Sequence, residues 1–439
     1  MQKRRLTTIF FIVFVDVLGF GLILPLLPYY AKTFGASFFV TGLLGSAYAV
    51  ASIVGTPVLG RMSDRFGRRP ILLVSIFGSF VGFVLLGVAN TLWLLFLSRV
   101  IDGVTAGNFS VAQSYISDVT TAEERARGLG LTGAAFGLGF IIGPTVGGLL
   151  SRFGYGAVGF AAAFMTLVNM GLVFFLLPES LSDERKAELA AQPRSGITLA
   201  KLIEAFHRPR FGPALVLRAG FWFAFAIFQT TFALWGIARL HLTPTSTGLI
   251  LAYVGVMSVI VQLLLIKPLT ARFSEGRLAL VSLGITAVAL FAWGFSPNIP
   301  VLLVVLTPLS LSVAVQNTIA SSLLSKSVQP WEIGGAFGLA GGLQNFGSAV
   351  APALGGALLQ GAGFWAPGVV SGLVAAGLVP FVYVKFVRGG GEAAPAAAEG
   401  EVAVPDSVAE RLAAEADLGP EIGEPAIGSG GQAGDKPGR

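Results

Sequence analysis

The chain has 439 residues, of which 54% are hydrophobic and 12% are charged, about half the charged fraction of an ordinary soluble domain. It holds no cysteine and two histidines, which excludes disulfides, thiolate chemistry and a histidine metal cluster. The net charge of +6 combines a body of net +13 with a C-terminal stretch, 392–439, of net −7.

Membrane-length apolar segments follow one another through most of the chain. Runs of 18 or more apolar residues are typical of transmembrane helices, so we predict an all-α integral membrane protein. Twelve spans are predicted, at 6–30, 39–59, 71–89, 92–117, 128–150, 156–178, 212–237, 246–266, 277–296, 299–324, 334–359 and 364–386.

The distribution of basic residues predicts the orientation of the chain. Loops on the side of the N-terminus hold 21 lysines and arginines, and loops on the other side hold three, Lys32, Arg152 and Arg239. Basic loops of polytopic proteins face the cytoplasm. We therefore expect a multi-pass protein of the cell (inner) membrane with both termini in the cytoplasm. The same bias explains the basic body without nucleic-acid binding.

Two carboxylates fall deep inside predicted spans. Asp16 lies ten residues after Leu6, about 15 Å along a helix, and Asp102 lies at a similar depth in the fourth span. A buried charge is costly, so each should face a cavity or a partner, and both are candidates for proton coupling. Arg99 shares a helix face with Asp102. If they pair, Asp102 is structural and Asp16 is the better proton carrier. Alternatively, Asp16 is only a polar group bonded to a neighbouring helix.

The loop after the second span, GRMSDRFGRRP at 60–70, is dense in charge. We interpret it as a cytoplasmic gate that shuts when the cavity faces outward. Asp64 would cap the positive N-terminal end of the eleventh span, and Arg68 would reach Asp118 at the end of the fourth. An ordinary basic loop would explain the arginines, but not Asp64.

Two glycines of this loop have predicted backbone roles. Gly60 would allow a close approach between helices, and Gly67 would allow a tight reversal of the chain. The other gate candidates in the loop are Arg65 and Arg69.

Small residues in the fifth span predict close helix packing. Gly139, Gly143 and Gly147 recur every four residues, with Pro144 and Gly148 beside them. This spacing allows close crossing and a bend. We expect this helix to rock against the opposite half of the protein, although plain membrane packing would need the same geometry.

An internal repeat relates the two halves of the chain. Segments 124–150 and 332–358 align without a gap and pair Pro144 with Pro352. The dipeptide TG also opens both the second and the eighth spans. Parallel repeats of this kind build transporters with a central cavity. The predicted domains are an N-terminal six-helix bundle (1–178), a cytoplasmic linker with one amphipathic helix (179–211), a C-terminal six-helix bundle (212–388) and a disordered acidic tail (389–439).

Four motifs support a family resemblance. They are the loop GRMSDRFGRRP, DVLGFGLILPLLP in span 1, SRVIDGVTAG in span 4 and GFIIGPTVGG in span 5. Over about residues 6 to 388 the chain resembles the major facilitator superfamily, and within it the twelve-span drug/proton antiporters that include the tetracycline exporters. The resemblance implies two pseudo-symmetric six-helix bundles and the same gate partners. Tetracycline exporters carry further aspartates in spans 3 and 9, where this chain has Gly82 and no acid, respectively.

The sequence favours a proton-coupled exporter of lipophilic small molecules, including drugs, that works by alternating access. The alternatives are a sugar, amino-acid or metabolite transporter of the same fold, and a membrane scaffold or receptor that does not transport. We expect small-molecule, proton and lipid-bilayer partners, no nucleic acid, a monomer, and no cofactor or metal. Without a P-loop, nucleophile motif or metal cluster, the chain is not expected to be an enzyme. Four amides are candidates for lining the substrate site: Asn108, Gln113, Gln229 and Gln344.

Overall fold

A computed structural model describes residues 2–120, 122–191, 199–329 and 332–388. These residues form helices and short connections, with no strand among them. In chain order the helices are α1 (Gln2–Ile23), α2 (Leu27–Thr33), α3 (Phe38–Phe66), α4 (Arg68–Gly87), α5 (Leu92–Val104), α6 (Asn108–Val119), α7 (Ala122–Leu150), α8 (Tyr155–Leu176), α9 (Asp183–Ala191), α10 (Leu199–His207), α11 (Phe211–Leu240), α12 (Pro244–Ile260), α13 (Ile266–Arg272), α14 (Glu275–Gly294), α15 (Ile299–Lys326), α16 (Ile333–Gly361) and α17 (Ala366–Val382).

The predicted all-α membrane architecture is confirmed. Within the described ranges, nine helical segments are long and apolar enough to cross a bilayer. Helical segments also occupy the predicted fourth, fifth and eleventh spans, as α5 with α6, α7 and α16. Membrane crossing by these three segments remains a prediction.

Two predicted spans are interrupted. The first is broken at residues 24–26 because Pro25 has no N–H to donate and cannot continue a regular helix. The fourth is broken at 105–107, where Gly107 packs so closely on Leu59 that a Cβ on the glycine would lie 2.8 Å from the leucine Cβ. The first interrupted segment still counts as one membrane-length span, Leu6–Thr33.

The internal repeat appears as two matching helix crossings between the halves of the chain. Gly42 of α3 lies against the Pro352 carbonyl of α16, so closely that a Cβ on the glycine would overlap it. Gly248 of α12 lies in the same way against the Pro144 carbonyl of α7. The matched TG dipeptides and matched prolines therefore form equivalent contacts.

The glycine repeat of the fifth span has a different partner from the one expected. A Cβ on Gly139 would lie 2.7 Å from Val17 Cγ1, and Gly143 and Gly147 also contact α1, within the same half. Neighbours of that repeat contact the opposite half instead, among them Ile141, Pro144 and Gly148. A helix has separate faces, and here one face packs inside its own half while the other crosses.

The two halves meet at the end of the molecule opposite the basic loops. In the described part of the chain, four hydrogen bonds join them, and all four lie at that end. They are Tyr29 to Thr247 (2.6 Å), Phe39 N to Gln360 (3.1 Å), Thr245 to Gly148 O (2.8 Å) and Ala353 N to Ser46 (3.2 Å).

At the basic end, one face of the first turns of α16 is open, while Ala336 and Ala340 on another face are buried. Its glycines there would meet no described atom within 4 Å if a Cβ were added; they are Gly334, Gly335, Gly338 and Gly341. In the described conformation, the two halves are therefore in contact at one end of the molecule, whereas at the basic end this face of α16 is open.

The segment between the halves holds two short helices, α9 and α10, where one was predicted. The predicted helix is α10, and it exposes Ile203 and Phe206. Helix α9 was missed because DERKAELAA has no apolar stripe, and ion pairs such as Lys186 with Asp183 at 2.9 Å accompany it instead. The predicted disordered tail, 389–439, lies outside the described residues.

Candidate functional site

A cavity of about 140 Å³ lies among α1, α3, α4, α5 and α6. Its lining includes both membrane carboxylates, Asp16 and Asp102, together with Asn108. The remaining lining residues are Val17, Phe20, Tyr48, Ser79, Phe83, Ala106 and Phe109. All of these belong to the N-terminal half, whereas the sequence predicted a cavity between the halves.

Asp16 is held by an amide rather than by a cation. Asn108 Nδ2 donates to Asp16 Oδ1 at 2.7 Å. Asn108 is the first residue of α6, so the break at 105–107 sets the position of this donor. Among the described ion pairs, none includes Asp16. A carboxylate in a membrane segment is costly unless it has a partner, and the described partner of Asp16 carries no charge.

Asp102 forms an ion pair with Arg99, which is one of the two alternatives that the sequence left open. Arg99 Nη1 donates to Asp102 Oδ2 at 3.1 Å, and both residues are buried. The arginine also lies 5.6 Å from the ring centre of Phe83. A charge pair of this kind is neutral overall, so Asp102 has less reason than Asp16 to exchange a proton.

Gly82 makes room for that pair. A Cβ at this position would lie 3.0 Å from Asp102 Cβ and 3.1 Å from the Ser98 carbonyl. An aspartate at position 82 would therefore compete with Asp102 for the same space.

Arg68 is the centre of a buried charge cluster at the basic end. Its Nη1 approaches Asp64 Oδ1 at 2.6 Å and donates to Ser63 Oγ at 2.7 Å, and its Nε donates to Asp118 Oδ2 at 2.9 Å. Asp64 and Arg68 are 7% and 6% exposed, so water screens them little. The cluster joins α3, α4 and α6. The predicted cap of Asp64 on the eleventh span stays a prediction for the state in which the gate is shut.

Glu179 completes this cluster, and sequence reasoning missed it. Its carboxylate accepts the backbone N–H of Arg68 at 2.9 Å and of Arg69 at 3.1 Å, which satisfies the N-terminus of α4. Gly67 makes the approach possible, because its φ of +107° turns the chain and a Cβ would lie 2.5 Å from Glu179 Oε2. Glu179 is a single acid after the sixth span, and no sequence pattern relates it to a loop that lies over a hundred residues earlier.

The outer arginines of the loop have other contacts. Arg69 donates to the Phe174 carbonyl at 2.5 Å, and its guanidinium lies 5.6 Å from the ring of that phenylalanine. Arg65 is exposed and lies 5.4 Å from the ring of Phe66.

The predicted role of Gly60 was wrong. The nearest atom to a Cβ there would be Ser110 Oγ at 4.0 Å, so no helix approaches closely. Among the predicted lining amides, only Asn108 borders the cavity. Gln229 is exposed, and Gln113 and Gln344 are partly buried elsewhere. Polarity inside a span does not reveal which way a side chain points.

The model of the Major Facilitator Superfamily matches residues 9–267 and 235–414 of this sequence. The chain belongs to the major facilitator superfamily. It is therefore a multi-pass membrane protein and a secondary transporter of small molecules, not an enzyme.

Bacterial drug-resistance proteins are among the relatives of this superfamily member. Its sequence is 32% identical over 305 residues to the tetracycline resistance protein, class C, of Escherichia coli, covering 67% of this chain and 74% of that protein. It is 29% identical over 267 residues to multidrug resistance protein 2 of Bacillus subtilis (strain 168), covering 61% and 66%. The predicted resemblance to the drug-antiporter branch is confirmed.

Solved transporters share the fold. The human organic anion transporter MFSD10 (TETRAN) matches with a TM-score of 0.65 and 22% identity, covering 87% of this chain and 99% of that chain. A bacterial homologue of the human lysosomal transporter Spinster, in an inward-facing and occupied conformation, matches with a TM-score of 0.70 and 14% identity, covering 87% and 96%.

Proposed function

We propose that this transporter exports lipophilic small molecules across the cell membrane in exchange for protons, by alternating access. The observation that carries the proposal is Asp16, a carboxylate inside a membrane span that borders a cavity and pairs with no described cation. In the proposed cycle, Asp16 gives up its proton toward the cytoplasm when substrate binds and regains one on the other side.

The proposed orientation places the basic loops in the cytoplasm, with both termini on that side. The described conformation then has its outer end joined, by contacts such as the hydrogen bond from Tyr29 to Thr247, and its inner end apart. We expect the chain to work as a monomer of two six-helix bundles.

Arg99 and Asp102 would have a supporting role. Because they neutralise each other at 3.1 Å, they provide a fixed dipole beside the cavity and leave Asp16 as the group that titrates. The coupling would then depend on Asp16 more strongly than on Asp102.

The cytoplasmic gate would be the Arg68 cluster. In the described conformation Arg68 is held inside the N-terminal half by Asp64 and Asp118. Closing the cytoplasmic side would bring Asp64 to the start of the eleventh span, whose N-terminal dipole favours a carboxylate.

Relatives named for tetracycline and multidrug resistance favour lipophilic cargo. Aromatic side chains at the cavity, Phe20, Phe83 and Phe109, suit such molecules. Tetracycline itself is disfavoured, because Asp102 occupies the space that an acid at Gly82 would need.

Dye export from cells tests the proposal. Cells that express the protein should accumulate less ethidium than control cells, and a protonophore should abolish the difference. Asp16→Asn should accumulate dye like the control cells, whereas the exposed linker variant Asp183→Asn should behave like the parent. Unchanged export by Asp16→Asn would refute this residue as the coupling site.

The same experiment separates the alternatives. A transporter that imports sugars, amino acids or other metabolites would raise uptake of the labelled compound when expressed. A scaffold or receptor would change neither dye level nor uptake, with or without the protonophore.

A further inference from the structure

Arg218 lies inside the C-terminal half, seven residues after the start of α11 and thus about 10 Å along the helix. Its Nη1 donates to Ser321 Oγ of α15 at 2.6 Å, and its guanidinium lies 5.5 Å from the ring centre of Phe337 on α16. Three helices therefore converge on one arginine of a helix that is long and apolar enough to cross a membrane.

No carboxylate of its own half is left to neutralise this arginine. Residues 212–388 contain only two acids, Glu275 and Glu332. Glu275 accepts from Lys326 at 2.8 Å and from Ser322 at 2.7 Å, and Glu332 is held by Arg208 at 2.9 Å. Among the described ion pairs, none includes Arg218. Arg218 is partly buried, and a cation in a membrane segment is costly without an anion, so a bound anion would stabilise it.

Two buried N–H groups on this helix face have no acceptor in the described structure. They are Nε of Arg218 and Nε1 of Trp222. The residues are four apart, so both side chains lie on one face of α11. A guanidinium fork next to an indole N–H is a set of donors that fits the oxygens of an anion.

We propose that Arg218, Trp222 and Ser321 form a subsite for the carboxylate of a lipophilic organic acid or zwitterion. The guanidinium binds the carboxylate oxygens, and the ring of Phe337 packs against the apolar part of the molecule. This inference deepens the proposed export function and rests on it for the claim that the bound molecule is cargo. It gives the substrate an anionic group, which the acid of the N-terminal half, Asp16, does not predict.

Binding to the purified full-length protein tests the subsite without transport. The probes are 2-naphthoate and its neutral amide, 2-naphthamide, titrated calorimetrically at pH 7.4. The parent protein should bind the carboxylate more tightly than the amide. Arg218→Gln should weaken naphthoate binding by at least about tenfold and leave naphthamide binding unchanged, because only the carboxylate forms a charge-assisted contact.

Two further variants separate binding from folding. Arg277→Gln, an exposed arginine on α14 at the same end, should bind both probes like the parent and so controls for surface charge and detergent partition. If Arg218→Gln does not elute as a folded protein, Arg218→Lys is used, which keeps the charge but loses Nε. It should weaken naphthoate binding by a smaller factor and again leave naphthamide unchanged.

The results distinguish this subsite from the export proposal. Equal binding of naphthoate by the parent and the Arg218 variants, or equal losses for both probes, overturns the subsite even when ethidium export is intact. Arg218-dependent binding of naphthoate supports the subsite. If cells that express the protein then export neither ethidium nor naphthoate, the export proposal is refuted while the subsite stands.

Discussion

Replacement of Gly67 by alanine should destabilise the protein sharply. Gly67 joins α3 to α4 with φ +107° and ψ 152°, a backbone conformation that essentially only glycine adopts. The new methyl group would also lie 2.5 Å from Glu179 Oε2. Strain and lost hydrogen bonds therefore act together at one position.

The expected magnitude follows from these two contacts. Holding a residue other than glycine in this region costs of order 1–3 kcal/mol. Moving the Glu179 carboxylate weakens its bonds to the N–H groups of Arg68 and Arg69, at 2.9 and 3.1 Å. Bonds to charged groups contribute about 1.5–3 kcal/mol each, and water replaces part of this at the membrane surface. We expect the free energy of unfolding to fall by roughly 2–5 kcal/mol.

Gly60→Ala is the matched control, because Gly60 lies in the same charged segment but inside a helix with its nearest neighbour 4.0 Å away. Alanine there should stabilise the helix by about 0.5–1 kcal/mol. Denaturant unfolding in detergent measures both variants, and ethidium export from cells measures their function. If the unfolding free energies of Gly67→Ala and the parent agree within about 0.5 kcal/mol, the usual spread for neutral surface changes, then Gly67 is not strained as described.

Two further predictions concern the crossing of the halves and the surface charges. Gly42→Ala should force α3 away from the Pro352 carbonyl, which should reduce dye export and raise maleimide labelling of a cysteine placed at buried Thr247. Gly137→Ala, whose new methyl group would meet no described atom within 4 Å, should leave export and labelling unchanged. Equal labelling of the two variants would contradict this prediction. The hydrogen bond from Arg208 lowers the pKa of Glu332 in the folded protein. The carboxylate therefore stabilises the fold above its unfolded pKa of about 4.3, and this stabilisation is lost as the pH falls through the lower folded pKa. Glu332→Gln should therefore be less stable than the parent at pH 7 by up to about 1 kcal/mol, a small effect because the ion pair is partly exposed. In thermal unfolding, this difference in stability should disappear between about pH 5 and pH 3. A difference that persists at pH 3 would be inconsistent with the ion pair.

Local patterns predicted the membrane fold because each depends on neighbouring residues. Apolar length sets a span, and the ungapped match of Pro144 with Pro352 indicated two related halves. Arg99 and Asp102, three residues apart, were expected to share a helix face, and they pair at 3.1 Å because helix geometry brings such residues together.

Contacts between distant segments were harder to predict. Glu179 reaches a turn over a hundred residues away, and only the packed bundle brings the two together. Gly60 and Gly67 look alike in the sequence, but one faces open space and the other a carboxylate. The candidate lining amides also look alike in the sequence. The orientation of each side chain about its helix separates them, because Asn108 borders the cavity and Gln229 is exposed.

The sequence alone determined that the chain is a twofold-repeated membrane protein with a buried acid in its first span, because hydropathy, spacing and motif are properties of short segments. The packing of the helices showed that an amide holds Asp16 and that no described carboxylate pairs with Arg218. Whether a buried charge is neutralised depends on which helices pack beside it, and that is fixed by the arrangement of the whole bundle.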